Sequence, residues 1–361
     1  MDVALLRRTL AELDEPPYRE RQVLRWAFGG SDGFEQMTDL PSKLRSQLAA
    51  AVPFTTLSVQ RESRARDGTV KVLLTTADGR PLEAVLMRYR DGRSSVCLSS
   101  QSGCPLTCSF CATGQMRFGR NLTAWEILDQ VLLFKRMDAA DDRRGPDHAV
   151  FMGMGEPLLN LEAVLEACRH LPQLGISHRH TAISTIGWIP GIQGLAADPM
   201  PLRLALSLHA AQDDLRSELM PVNDRYPLAD VLAACREYHH RKRRRVFVEY
   251  VMLAGVNDAH GQAVALADVL DPRVFKVNLI PYNPTSSPYR GSSPKAIAAF
   301  RSELERRGLT ATVRLERGRE IEAACGQLAA TEPRTAKAPQ KMNGEVSGLA
   351  LSSAHSSSAR G

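Results

Sequence analysis

Apolar residues recur every three or four positions near the start of the chain and every second position further on. Val3, Leu5, Leu6, Leu10 and Leu13 make one helical stripe. A second helical pattern runs over Gln22–Ala27 after Pro16-Pro17, and Leu44, Leu48 and Val52 make a third stripe. Alternation then takes over at Leu57–Gln60, Val70–Thr75 and Leu82–Met87, which predicts three short strands. Residues 1–90 thus read as a small helical accessory domain followed by a short β extension.

From residue 91 the pattern changes again. Strand-like runs at Ser94–Leu98, Ala149–Met152, Thr181–Thr185, Leu202–Leu208, Val246–Leu253, Phe275–Ile280 and Thr312–Leu315 alternate with helical stretches. The helices fall at Thr123–Met137, Leu161–His170, Leu228–His239, Gly261–Leu270 and Pro294–Arg307. Repeated βα units imply an α/β fold with a parallel sheet covered by helices. About six such units over residues 91–330 predict a partial (β/α)6, TIM-like barrel, whose chemistry belongs at the C-terminal ends of its strands. From residue 331 the chain turns to Ala, Ser, Lys and Pro, the composition of a disordered tail.

Composition narrows the class. A chain of 361 residues with 43% hydrophobic and 24% charged residues can bury a large core. No apolar run of about 18 residues occurs, so no membrane span is expected. An acid at position 2 breaks any signal-peptide core, and the expected compartment is the cytoplasm. There the seven Cys should be reduced and available for metal or redox work. The net charge of +6 suits a polyanionic partner such as RNA.

The densest chemistry is the run Gly103-Cys104-Pro105-Leu106-Thr107-Cys108-Ser109-Phe110-Cys111. Three thiolates can hold three irons of a [4Fe–4S] cube and leave the fourth open to a ligand. The competing reading is a structural zinc knot, but a second ligand pair at zinc spacing does not follow; His148 is the next conventional ligand. The C-x3-C-x2-C spacing, with an aromatic before the last Cys, resembles the radical S-adenosylmethionine (SAM) superfamily. That resemblance implies SAM chelated on the open iron and cleaved to a deoxyadenosyl radical.

Polar residues recur at the predicted strand ends. Gly153-Met154-Gly155-Glu156-Pro157 follows one strand, and its glycines let the backbone approach a ligand. Glu156 can accept from the ammonium of SAM. Ser184 ends the next strand, Ser207-Leu208-His209 ends the one after, and Asn283 follows Tyr282. Each alone reads equally as a turn former; their repetition around one barrel mouth makes them SAM-contact candidates. Cys97 lies on the strand feeding the cysteine loop, and Cys325, followed by Gly326, lies beyond the last strand. Cys168 and Cys235 sit inside amphipathic helices and read as small core residues.

Taken in order, several motifs resemble the radical-SAM adenine methyltransferases of 23S rRNA, the RlmN/Cfr family. They are the cysteine loop with Ala112-Thr113-Gly114, Asn121-Leu122-Thr123, Gly153–Pro157, Ser184–Gly187, Ser207–His209, Leu219–Asp224, Gly255–Asp258, Val277–Asn283 and Ala324–Gln327. The likeness spans about residues 14–328. It implies a two-stage route with two SAM per turnover. Cys325 takes a methyl group from one SAM and becomes S-methylcysteine. A radical from a second SAM, cleaved at the cluster held by Cys104, Cys108 and Cys111, removes a hydrogen from that methyl, which then adds to carbon 2 or carbon 8 of an adenine. Glu83 is implied as the acceptor of the ring proton, although alone it reads as the solvated face of a strand. Cys97 is implied as the resolving thiol, forming a transient disulfide with Cys325.

The resemblance also implies partners: 23S rRNA, tRNA in some members, an electron donor such as flavodoxin or ferredoxin, and a thiol reductant. A monomer is expected. Arg241–Arg245 should lie at the barrel bottom, away from chemistry; Arg117, Arg120, Arg19, Arg21, Lys43 and Arg45 are the better phosphate candidates. Leu219–Pro227 and Ser184–Gly187 resemble the carbon-8 resistance branch, whereas Glu156-Pro157 and Glu249–Met252 resemble the carbon-2 branch. A different radical-SAM enzyme, such as a peptide maturase, and a zinc-bearing RNA module are the competing functions.

Overall fold

The structure is a computed structural model, and it describes residues 1–315 and 317–329. Its first unit is helical: α1 (Val3–Glu12), α2 (Tyr18–Gly29) and α3 (Ser42–Ala51). Asp2 caps α1 by accepting from the Leu5 N–H. Gly30, at φ 103°, ends α2 in the left-handed conformation that favours glycine. Leu6, Leu10, Val23, Met37, Leu44 and Leu48 close a core of their own between these helices.

A meander follows: β1 (Leu57–Arg64), β2 (Val70–Thr76) and β3 (Pro81–Arg88), each antiparallel to the next. β4 (Ser94–Cys97) pairs antiparallel with β3 and opens the parallel part of the sheet. The loop after it carries the small pair β5 (Gln101–Ser102) and β6 (Arg120–Asn121), then α4 (Ala124–Ala140). Thr123 and Glu126 form a capping box at the start of α4, each side chain bonding the other's backbone N–H. The repeat continues through β7 (His148–Phe151), α5 (Leu161–His170), β8 (Thr181–Thr185), α6 (Ile189–Ala197), β9 (Arg203–Ser207), α7 (Asp213–Leu219) and α8 (Leu228–Lys242). It ends with β10 (Val246–Met252), α9 (His260–Val269), β11 (Phe275–Pro281), α10 (Pro294–Arg306) and β12 (Ala311–Val313).

The ten main strands form one sheet in the order β1-β2-β3-β4-β7-β8-β9-β10-β11-β12, parallel from β4 onward. Among the described residues, each parallel strand but the last is followed by a helix, as the alternating pattern predicts. Leu204, Leu206, Val248, Val277 and Leu279 are buried between the strands and the helices outside them, because a parallel sheet covered on both faces needs apolar residues throughout. The meander shares this core through Leu57, Val72, Leu74, Leu82 and Ala84, and α2 reaches it through Phe28, while the rest of the helical unit packs on its own core. No helix among the described residues is long and apolar enough to cross a membrane. The tail expected from residue 331 lies outside the described residues.

Two helices carried no clear signal. α6 contains Pro190, Gly191 and Gly194, and α7 is only seven residues long. Arg241–Arg245 occupies the end of α8 and the turn into β10. Arg241 pairs with Glu237, Arg243 caps the helix at φ 54°, and Arg245 donates to the carbonyl of Phe275 at 3.2 Å. That is the N-terminal end of the strands, as the sequence predicts.

Candidate active site

Each functional segment follows the C-terminal end of a strand. Beyond β4, Ser99 ties β3 to the loop after β7: its hydroxyl donates to the Glu83 carbonyl at 2.5 Å and accepts from the Met154 N–H at 2.8 Å. The chain then turns at Gly103, where φ is 72° and a Cβ would stand 2.3 Å from the Arg117 carbonyl oxygen. Only glycine fits there. The cysteine loop is pinned to β9's connection by Ser109, whose N–H donates to the Leu219 carbonyl at 3.0 Å.

Burial pushes the Cys104 thiol up to about 12, the Cys108 thiol well above its ordinary value, and the Cys111 thiol upward too. Cys111 and Glu156 raise Cys104 further, and Cys111 and Cys104 raise Cys108, so the three thiols act on one another. Thiolates form in such a place when a bound metal supplies positive charge. Among the described residues no three His, Cys, Asp or Glu side chains converge as ligands of a single ion. A cube needs a different layout, because each thiolate binds its own iron. Three cysteine thiolates in one loop are a donor set that fits a [4Fe–4S] cube.

A cavity of about 160 Å³ opens beside this loop. Cys108, Cys111, Gly155, Glu156, Ser184, Ser207, His209 and Cys325 all line it, which brings together most of the candidates read from strand ends. Gly155 stands at φ 96°, and a Cβ there would meet the Gln101 side chain at 2.5 Å. Burial lifts the Glu156 carboxyl to about 7. Its two oxygens accept from the N–H groups of Leu158 at 3.2 Å and Ile186 at 3.0 Å. The hydroxyls of Ser184 and Ser207 lie 3.4 Å apart.

His209 is held at φ 59°, and its Nδ1 accepts from the Val251 N–H at 3.0 Å. Burial, aided by the charge of Arg216, pushes its imidazole down to about 3. The ring is therefore neutral, with its proton on Nε2, a donor on the cavity wall. A carboxylate acceptor, two hydroxyls and an imidazole donor around apolar walls of Phe151, Val251 and Ile280 suit a charged amino acid joined to a nucleoside. Leu208 does not line this cavity. Its side chain is fully buried in the core, and its N–H and carbonyl bond Glu249 and Ala210.

A second cavity of about 30 Å³ adjoins the first. Cys97, Met87, Met152, Asn283, Arg314 and Cys325 line it, so Cys325 faces both. Asn283 does not reach the larger cavity; its Nδ2 donates to the Cys325 carbonyl at 3.3 Å, and its Oδ1 is buried without a partner. All seven Cys are free thiols. The Cys325 segment is tied down by bonds from Ala112 N–H to Gly326 carbonyl at 2.8 Å and from Thr113 hydroxyl to Leu328 carbonyl at 2.6 Å.

Glu83 is not solvated. It is 2% exposed, pairs with Lys71 Nζ at 3.2 Å and accepts from the Ala329 N–H at 2.9 Å. In the register, Val85 lies opposite Cys97, so Glu83, two residues along β3, shares the Cys97 face. Both faces of β3 are covered, which defeats the alternation rule for this strand. The Arg120 guanidinium is paired within the chain, with Asp78 at 2.6 Å and Glu126 at 2.8 Å. Arg19 bonds Glu15 and Gln22, and Arg45 bonds the Glu35 carbonyl. Arg21, Lys43 and Arg117 are exposed. Sequence reasoning missed Arg314 and Arg216, buried or half-buried charges with no motif around them, and named Glu249 only within a segment compared with a family branch.

A parallel βα barrel with three cysteines beside its first strand and a cavity at the strand ends is the radical-SAM architecture. Residues 98–267 match the Radical SAM superfamily, and residues 1–53 match the ribosomal RNA large subunit methyltransferase N-terminal domain. A crystal structure of a radical SAM methyltransferase from Sphaerobacter thermophilus is 44% identical, with a TM-score of 0.86 over 91% of this chain and 98% of that one. A probable dual-specificity RNA methyltransferase RlmN from Rhodopirellula baltica is 46% identical over 329 residues, 90% of this chain and 88% of the relative. A dual-specificity RNA methyltransferase RlmN from Anaeromyxobacter sp. is 45% identical over 334 residues, with the same two coverages. The chain belongs to this RlmN family of radical-SAM RNA methyltransferases.

Proposed function

We propose that this protein methylates a ring carbon of an adenine, carbon 2, in 23S rRNA, with tRNA as a second substrate. The observation that carries the reading is the position of Cys325, which faces the cluster-side cavity on one side and Cys97 on the other. A thiol so placed can take a methyl group in one cavity and pass it on in the other.

A [4Fe–4S] cluster, which Cys104, Cys108 and Cys111 would hold, would supply the electron for SAM cleavage and so a hydrogen-atom acceptor. Glu156 accepts from the SAM ammonium, while Ser184, Ser207, His209 and the backbone at Gly155 orient the rest. Cys325, as thiolate, attacks the methyl carbon of a first SAM; an S–C bond forms and S-adenosylhomocysteine leaves. Loss of a hydrogen atom from that S-methyl group leaves a carbon radical on the protein, which adds to the adenine ring. The adduct gives its ring proton to Glu83 and one electron to the redox partner. Lys71 and the Ala329 N–H keep the Glu83 carboxylate in place. Cys97 thiolate then attacks the Cys325 sulfur. An S–S bond forms, the S–CH2 bond breaks, and its electron pair stays on the carbon, which takes up a proton. A dithiol reductant restores both thiols and is itself oxidised.

Nucleoside mass spectrometry of rRNA and tRNA, from cells with and without this protein, tests the reading. Loss of 2-methyladenosine with the protein is expected. A product at carbon 8 moves the chain to the other branch, and unchanged adenine methylation in both RNAs contradicts the proposal.

A further inference from the structure

β4 and β12 stand at opposite ends of the parallel arc, with five strands between them in the sheet order. Cys97, at the end of β4, and Arg314, just beyond β12, nevertheless line the same 30 Å³ cavity, because the sheet curls almost to closure. Arg314 is anchored there. Its N–H donates to the Leu279 carbonyl at 2.8 Å, and its Nη1 lies 3.3 Å from the Met152 sulfur and 3.9 Å from the Glu249 carboxylate. Its side chain is 21% exposed.

We propose that Arg314 is the cation that stabilises Cys97 as a thiolate when Cys97 attacks the Cys325 sulfur. The inference rests on the roles assigned to the two thiols above. Cys97 is 7% exposed, and a buried thiol loses little by keeping its proton. A thiol that must act as a nucleophile needs a nearby positive charge. The other charged groups around it are engaged elsewhere. Lys71 pairs with Glu83 and donates to the Glu322 carbonyl at 3.2 Å. Arg317 lies over the Tyr89 ring at 4.6 Å and bonds the Asp67 carbonyl. Glu249 is the acid facing Arg314, and it is shared with Asn278, whose Nδ2 donates to it at 2.8 Å. Electrostatics point the same way. Burial pushes the Cys97 thiol up to about 12, Cys325 adds to the rise, and Arg314 is the side-chain charge that opposes it. Cys325, then Glu249 and Cys97, hold the Arg314 guanidinium firmly protonated.

The test is the pH profile of Cys97 alkylation by iodoacetamide in the reduced, anaerobic holoenzyme, read by peptide mass spectrometry. Arg314→Gln should slow Cys97 at pH 8 about tenfold or more, the rate ratio for one unit of displacement, and should recover as the pH rises. Arg314→Lys should stay close to wild type. Unchanged Cys97 kinetics in Arg314→Gln overturn the inference. So does an equal loss in both variants at every pH, which would mark a packing role. A wild-type Cys97 that resists the reagent throughout also overturns it, since a resolving thiol must be reachable from its cavity. Cys97→Ala, tested for covalent RNA, probes the thiol roles separately. If that variant turns over normally while the alkylation profile still follows Arg314, the reaction scheme fails and the charge pairing stands.

Discussion

The two adjoining cavities are built on different principles. The larger is a product of repetition: β7, β8 and β9 each lead at their C-terminal ends into residues that line it, and the barrel gathers those ends around one space. The smaller is assembled from pieces that share no repeat. β3, the end of β4, the residues after β12 and the Cys325 segment meet there only because the sheet curls. In the proposed reaction the first cavity binds and the second converts. Cys325 is the residue common to both.

The hardest test of this division removes a cluster ligand. Cys108→Ala should abolish iron incorporation and SAM cleavage, because three thiolates are the fewest that hold three irons and leave one open. Full iron and sulfide content in the purified variant would refute the cluster assignment. Next in size is Glu83→Gln, which removes the proposed proton acceptor and no residue of the binding cavity. RNA methylation should fall about 100-fold or more, the usual worth of a positioned general base. The methyl mass on the Cys325 peptide should persist. If both readouts fall together, Glu83 serves methyl loading or folding and not ring deprotonation.

The same contrast explains what the sequence made legible. The strand at Thr181–Thr185 and the helix at Leu161–His170 have the bounds that their patterns predict, because an apolar period survives burial on both faces. The strand-end rule then located Gly155, Glu156, Ser184, Ser207 and His209 without any tertiary information. α6 escaped notice because Pro190 and two glycines hide its helical period. Glu83 looked solvated because alternation assumes one wet face, and β3 has none. The pairing of Arg120 escaped notice because its partners Asp78 and Glu126 lie on other elements. Arg314 carried no signal at all, since nothing local records that β12 ends beside β4.

A smaller effect concerns the binding cavity alone. The imidazole of His209 is pushed down to about 3 in the folded protein, below the value near 6.5 of an unfolded chain. The unfolded state therefore takes up the proton first as pH falls. The stabilising contribution is complete above about pH 6.5 and declines by about 1.4 kcal/mol per unit as pH drops toward 3. Urea unfolding of His209→Gln between pH 6 and 4 should show a shallower acid limb than wild type. Parallel limbs would mean that His209 is charged in the folded state.

Cys97→Ala tests the central claim most directly, because it leaves the binding cavity untouched and blocks only resolution. Without the second thiol, the thioether joining Cys325 to adenine has no route to a disulfide. The variant, purified with its cluster, should carry RNA through denaturing electrophoresis as a shifted band that nuclease collapses, and Cys325→Ala added to it should erase the band. Normal turnover by Cys97→Ala, free of RNA, would contradict the two-thiol account.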